Sequence, residues 1–362
     1  MSFIRFVHWY DFSKEYHPRV LYHLNLDLAR KIGMFELFFF ICYNLPRRIL
    51  MNDFIFSLNS TVPIFFMIFL GWFLKEKGWF NENFVNTANK FVFNAALPAL
   101  LFRDISGAPL KQAFDLKYFL FCIIVTTLMF SGIWILAEIF LKDKSMTGAF
   151  VQASFRGSAA ILGIAFIENI YGHSTMGPLM IVASVPLYNI FSVIVLTVRG
   201  PGSGTSSIKS ALINIAKNPI ILGILAGLPF SYLAVDFPPV IDKCLNQLSV
   251  TATPVALLCV GAGFEGAKAL KKIRPTMAAA VIKLFILPLI FLPLAVFFGF
   301  RNEGLIAVLI MLGSPTTVSC YVMAKAMDND HVLTSSIVVA ATVLSSVSLT
   351  FWVYLLRMFS FI

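Results

Sequence analysis

Two clusters of small residues and two cations stand out in a sequence with few other groups able to do chemistry. Arg156-Gly157-Ser158-Ala159 lies in the middle of one long apolar stretch, and Gly313-Ser314-Pro315-Thr316-Thr317 in the middle of another. Residues of these types interrupt helices. An interrupted helix exposes N–H groups at one half-helix end and carbonyls at the other, and the positive end attracts anions. Arg156 and Lys283 are the charges deepest in the apolar stretches, where a charge is costly and marks a cavity or a partner. Both are cations, so the chemistry they point to is the binding of an anion. Each has a competing structural account. Lys283 can snorkel toward an interface, and Arg156 can pair with a carboxylate such as Glu168 or Glu138. The small residues can be plain helix-packing positions. Asn94 beside Pro98, and Thr251 with Thr253 beside Pro254, can contact a substrate or can cap backbone that the prolines leave free.

The elements that must position these residues are membrane helices. Of 362 residues, 59% are hydrophobic and 13% charged, where a soluble chain carries about a quarter charged residues. Apolar runs of about twenty residues recur, the length that crosses a bilayer. Ten spans are expected, near 54–74, 84–103, 116–141, 146–170, 175–198, 219–235, 240–264, 277–300, 304–326 and 332–358, with Pro98, Pro254 and Pro315 interrupting three of them. The net charge of +10 is spread over short loops, which suits a positive-inside bias and argues against a nucleic-acid partner. Cys42, Cys122, Cys244, Cys259 and Cys320 show no paired spacing, and the five histidines form no metal-spaced cluster. Gly261–Gly266 spells G-x-G-x-x-G but ends a membrane run with no preceding strand, so it is no dinucleotide site. Nothing resembles a nucleophile with its base. The expectation is a non-enzyme without metal or cofactor.

Residues 1–50 differ from the rest, crowded with Arg, Lys, His and Tyr around an apolar run too short to span. They read as an interfacial segment or as a mis-assigned start, with Met51 as the natural first residue. From there the chain repeats at an offset of 156. Pro63 falls on Pro219, Gly71 on Gly227, Pro98 on Pro254, Gly107 on Gly263, Gly148 on Gly304, and Gly157-Ser158 on Gly313-Ser314. The domains are therefore read as 51–206 and 207–362, joined through the Gly/Ser-rich stretch after Arg199. Each repeat holds five spans, an odd number, so the second copy enters the membrane inverted. Inverted repeats with broken helices are the architecture of secondary transporters. Loop charges divide twelve inside to six outside when both ends of 51–362 are placed outside.

VPIFFMIFLGWFLKEKGW followed by FVFNAALPALLF, FRGSAAILGIAFIENIYG, and GSPTTVSCYVMAKAMDND followed by VVAATVLSSVSLTFWVYLL together resemble the auxin efflux carrier family, bacterial permease type, over Met51–Ile362. The resemblance implies an all-α polytopic fold of ten helices in two inverted five-helix repeats, with helices four and nine unwound where they cross. It implies a homodimer, with helices one, two, six and seven as scaffold and the others as a moving transport unit. Plant members export auxin, and bacterial members are linked to malate, malonate and similar carboxylates. The short central loop is similar to the bacterial type. The family's crossover asparagine is Ser158 here, which keeps one donor and loses the amide geometry.

The expected function is an elevator-type carrier of small organic anions in a bacterial cytoplasmic membrane. Its partners are the anion, the bilayer and a second copy of the chain, and the coupling ion is left open. The expected binding residues are Arg156, Gly157, Ser158, Ala159, Gly313, Ser314, Pro315, Thr316, Thr317, Lys283, Asn94, Thr251 and Thr253, with Pro98, Pro254 and Gly163 at the hinge or crossover. The rival readings are a cation/proton antiporter of the same architecture, which needs acidic residues absent from 155–163 and 312–322, a channel or sensor, and, more distantly, a membrane enzyme.

Overall fold

The computed structural model describes residues 47–107, 115–200, 213, 215–233 and 237–362. The alternative readings of residues 1–50 lie almost wholly outside the described residues, and so does the Gly/Ser-rich stretch after Arg199. The side chains of 160–163 and of most residues before Thr61 are likewise outside them. Everything below concerns the compact unit Asp53–Ile362.

Nearly all of this unit is helical. α1 (Arg47–Glu76) is followed by α2 (Glu82–Phe91) and, across a π-turn at Val92–Ala96, by α3 (Leu97–Ser106). Next come α4 (Leu116–Phe140), α5 (Thr147–Phe155), α6 (Ala159–Tyr171) and α7 (Met176–Val198). α8 (Pro219–Leu233), α9 (Pro239–Ala262), the short α10 (Gly266–Lys271) and α11 (Ile273–Val281) follow, and a π-turn at Ile282–Ile286 joins α11 to α12 (Leu287–Phe297). The chain closes with α13 (Asn302–Gly313), α14 (Ser319–Ala326) and α15 (His331–Met358). Among the described residues, five helical segments are long and apolar enough to cross a membrane: Leu116–Phe140, Met176–Val198, Pro239–Ala262, Ile273–Phe297 and His331–Met358. Pro219–Leu233 and Asn302–Gly313 are shorter apolar helices. A helical bundle with so many apolar segments is a polytopic membrane protein.

Prolines act in three ways. Pro98 and Pro288 each stand second in a helix that follows a π-turn, so the extra residue absorbs the turn that proline cannot complete. Pro254 was expected to interrupt its span, but it lies inside the unbroken helix α9. A proline removes one hydrogen bond and leaves the helix standing when neighbouring groups serve the freed carbonyl. Pro315 lies in a true gap, 314–318.

Burial separates two kinds of helix. α4 presents Leu120, Ile124, Leu128, Ile135 and Ile139 to the outside, as lipid-facing residues do. Every residue of α5, and every residue of α13 from Gly304 to Gly313, is buried. Helices apolar and buried all round belong at the centre of a bundle. α15 threads the same interior with Thr334, Ser335, Ser336, Thr342, Ser345 and Ser348, whose hydroxyls bond back to carbonyls three or four residues earlier. Such residues satisfy themselves in an apolar medium and keep helix surfaces thin.

Glycines set two close helix contacts. A Cβ on Gly71 of α1 would collide with the carbonyl of Leu258 in α9, and one on Gly227 of α8 would stand 2.8 Å from the carbonyl of Phe102 in α3. Gly227 follows Gly71 by 156 residues and Leu258 follows Phe102 by 156, so one contact is the reciprocal of the other.

Candidate functional site

The centre of the bundle is where two helices stop. α5 ends at Phe155 and α6 begins at Ala159, while α13 ends at Gly313 and α14 begins at Ser319. The intervening strands cross and pair. Gly157 and Thr316 form an isolated antiparallel bridge, and the Ser158 amide donates to the Pro315 carbonyl at 2.9 Å. The Thr316 hydroxyl donates to the Ala153 carbonyl at 2.8 Å, which ties the second gap to the last turn of α5. The crossing is tight because Gly157 lacks a Cβ. A Cβ there would overlap the Ser314 hydroxyl and stand 2.9 Å from the Lys283 ammonium.

The four half-helix ends are sorted by sign. The starts of α6 and α14 face a cavity of about 60 Å³, lined on these sides by Arg156, Gly157, Ser158, Ala159, Thr317, Val318 and Ser319. The carbonyl ends of α5 and α13 meet elsewhere, on Lys283. Its Nζ donates to the Phe155 carbonyl at 3.1 Å and to the Met311 carbonyl at 3.0 Å. The Tyr188 hydroxyl donates to the same Met311 carbonyl at 2.9 Å. Lys283 is fully buried.

Arg156 is the cation of the cavity. The residue is 4% exposed, and its guanidinium donates to Asn189 Oδ1 at 2.7 Å, with Met323 Sδ on its other side. Asn189 is held in turn by a bond from its amide to the Val185 carbonyl, 2.9 Å long. The carboxylates weighed against Arg156 are placed otherwise: Glu138 pairs with Arg199 at 2.6 Å, and Glu168 is exposed. A guanidinium carries five N–H donors, of which two have named protein partners among the described residues.

The expected binding residues thus divide. Arg156, Gly157, Ser158, Ala159, Thr317 and Thr253 line the cavity. Gly313, Ser314, Pro315 and Thr316 build the crossing behind it, and Lys283 caps the helix ends. Asn94 is exposed and its amide donates to the Lys90 carbonyl, and the Thr251 hydroxyl donates to the Leu248 carbonyl. Pro98, Pro254 and Gly163 lie within helices and in neither gap. Four polar lining residues were not singled out from the sequence: Asp104, Tyr188, Asn189 and Ser319. Asp104 was legible as an acid at the end of an apolar stretch, and Asn189 as an amide well inside one.

A bundle of apolar helices with two interrupted helices beside a cavity that holds a buried cation defines a multi-pass membrane transport protein. The chain belongs to the Membrane transport protein family, that of the auxin efflux carriers, whose pattern matches residues 56–206 and again 203–353. It is 27% identical over 314 residues to the uncharacterized transporter YfdV of Escherichia coli (strain K12), covering 84% of this chain and 99% of that one. It is 23% identical over 302 residues to an uncharacterized transporter of Methanothermobacter thermautotrophicus, covering 82% and 97%. To a putative malonate transporter of Rhizobium meliloti (strain 1021) it is 22% identical over 304 residues, covering 82% and 94%.

Proposed function

We propose that this protein carries small organic anions, mono- or dicarboxylates, across a bacterial cytoplasmic membrane by elevator-type alternating access. The observation that carries the reading is the convergence of two half-helix N-termini and the Arg156 guanidinium on one cavity. N-terminal amides and a guanidinium replace the water that a carboxylate loses on burial. The putative malonate transporter among the relatives agrees with that class.

The reciprocal glycine contacts and the double family match support a reading of 51–206 and 207–362 as inverted five-helix repeats. In that reading helices one, two, six and seven are a scaffold, the crossing helices move as a unit, and two chains pair into a homodimer. The central loop is cytoplasmic and both ends of 51–362 are outside. In a background without reactive cysteines, Ser206→Cys is then labelled only from the cytoplasmic side and Ile362→Cys only from outside. Labelling of both from one side refutes the inversion.

The function is tested by counterflow in proteoliposomes with malonate, malate and monocarboxylates. Saturable exchange, inhibited by other carboxylates and not by the neutral diamides, is the expected result. Flux that does not saturate would make the protein a channel, and absence of exchange with every anion of the panel overturns the proposal. A second reading, a cation or proton antiporter, draws on Asp104 in the cavity lining. Under it Asp104→Asn abolishes cation exchange, whereas an anion carrier with this substitution still exchanges carboxylates.

A further inference from the structure

Lys283 has no ligand-facing role in the geometry above, yet it is a fully buried cation in the middle of the bundle. Its surroundings are specific. Phe155 is the last residue of α5, and Met311 lies in the last turn of α13. Each helix ends there with carbonyls that no later turn can serve, and each end carries about half a negative charge. Two such ends brought together amount to roughly one negative charge in a medium without water. They would repel each other, the Phe155 carbonyl would lose its bond from Lys283, and the Met311 carbonyl would keep only the Tyr188 hydroxyl. One ammonium, bonded to both carbonyls at 3.0–3.1 Å, matches that charge.

The lysine is also built in firmly. It lies in the π-turn Ile282–Ile286, immediately before Pro288. Pro288 cannot donate to the Leu284 carbonyl, and the Trp352 indole does so instead at 2.9 Å. The side chain runs under Gly157, where no Cβ obstructs it. Ser314, fully buried and with no partner for its hydroxyl among the described residues, stands on the same glycine. Remove the ammonium and what is left is a pocket of oxygens: two helix-end carbonyls with the Ser314 hydroxyl close by. Such a pocket is chemically suited to a monovalent cation.

We infer that Lys283 is a resident, covalently tethered counter-cation that locks the two carbonyl half-helix ends together, occupying a place that a small monovalent cation takes once the lysine is removed. It is a positioning residue and not a substrate ligand. The inference is independent of which solute the protein carries, because its test is read without substrate.

The test is thermal melting of purified full-length protein, with choline, sodium or n-propylammonium chloride at equal ionic strength. n-Propylammonium supplies the atoms that Lys283→Ala deletes. Wild type melts alike in all three. Lys283→Ala melts lower in choline and regains about 3 °C or more in sodium or n-propylammonium. Lys283→Met, which keeps the volume and drops the charge, melts lower and responds to neither. A Met variant as stable as wild type overturns the proposal, and so does an Ala variant that neither cation restores. If Lys283→Ala cannot be recovered from membranes, Lys283→Met decides alone. A residue that serves only a ligand would leave melting unchanged on substitution, and that result also overturns the proposal.

Discussion

The two gaps in the helices, 156–158 and 314–318, overlap in the 156-residue repeat, the second beginning two positions later than the first, and they do unequal work. The first is three residues long and brings Arg156 and Ser158 to the cavity. The second is five residues long and spends its first three on the crossing itself. Ser314 packs on Gly157, Pro315 accepts the Ser158 amide, and Thr316 bonds to α5. Only then do Thr317 and Val318 reach the cavity. Ser158 is half-buried at the cavity wall, while Ser314 is fully buried without a partner. A repeat in sequence therefore supplies two matching breaks. Packing decides which break presents charge to a ligand and which one braces it.

The largest test of this contrast is at the paired glycines. Gly157→Ala forces a methyl into the Ser314 hydroxyl and the pinned Lys283 ammonium. Overpacking of this kind costs about 1–3 kcal/mol or more, and loss of folded, transport-competent protein is expected. Gly313→Ala meets Pro288 Cγ at 3.1 Å and nothing nearer, so it should fold and transport. Expression and melting of the two variants side by side decide the matter, and equal damage would break the asymmetry. Gly157→Ala combined with Ser314→Ala should recover part of the loss.

Next in size is Arg156→Gln. It removes a charge-assisted hydrogen bond worth about 1.5–3 kcal/mol, or roughly ten- to a hundred-fold in affinity for a carboxylate. Neutral analogues should be affected far less. Binding on solid-supported membranes, with a melting curve as control, measures this. Unfolding would instead assign the arginine a structural role through Asn189.

The paired serines give a smaller effect and a sharper comparison. Ser158→Ala should weaken anion binding by about 1 kcal/mol, several-fold, through loss of one neutral hydrogen bond. Ser314→Ala should leave affinity alone and hold or slightly raise the melting temperature, because it deletes a buried hydroxyl that has no partner. Equal weakening by both would mean that the second serine turns to the ligand. Smallest of all is Thr317→Val. The hydroxyl lies 3.2 Å from the Ser319 hydroxyl at the cavity wall, and its loss should cost well under tenfold in affinity with no change in folding.

The places of the breaks were legible in the sequence because they are local. Gly157-Ser158 and Gly313-Ser314-Pro315 cannot continue a helix comfortably whatever surrounds them. The α5–α6 and α13–α14 gaps fall on those residues. The apolar lengths that cross a bilayer were legible for the same reason. Asn189 and Asp104 were harder to read, since one polar residue in an apolar helix says that something is satisfied without saying what. Lys283 was legible as an important cation and not as a cap, because its acceptor at Phe155 lies 128 residues away.

By itself, then, the sequence determined that this is a multi-pass helical membrane protein of a transporter family, and it marked the breaks at Gly157-Ser158 and Gly313-Ser314-Pro315 along with an interruption at Pro254 that the helix does not make. Hydropathy, helix propensity and repeat spacing are properties of short stretches and survive without knowledge of neighbours. Only the tertiary structure decided what each broken end faces. Two amide ends open on Arg156 and the cavity, and two carbonyl ends close on Lys283. Charge in a low-dielectric interior is settled by distances of a few ångströms between segments far apart in the chain, and no local pattern records those distances.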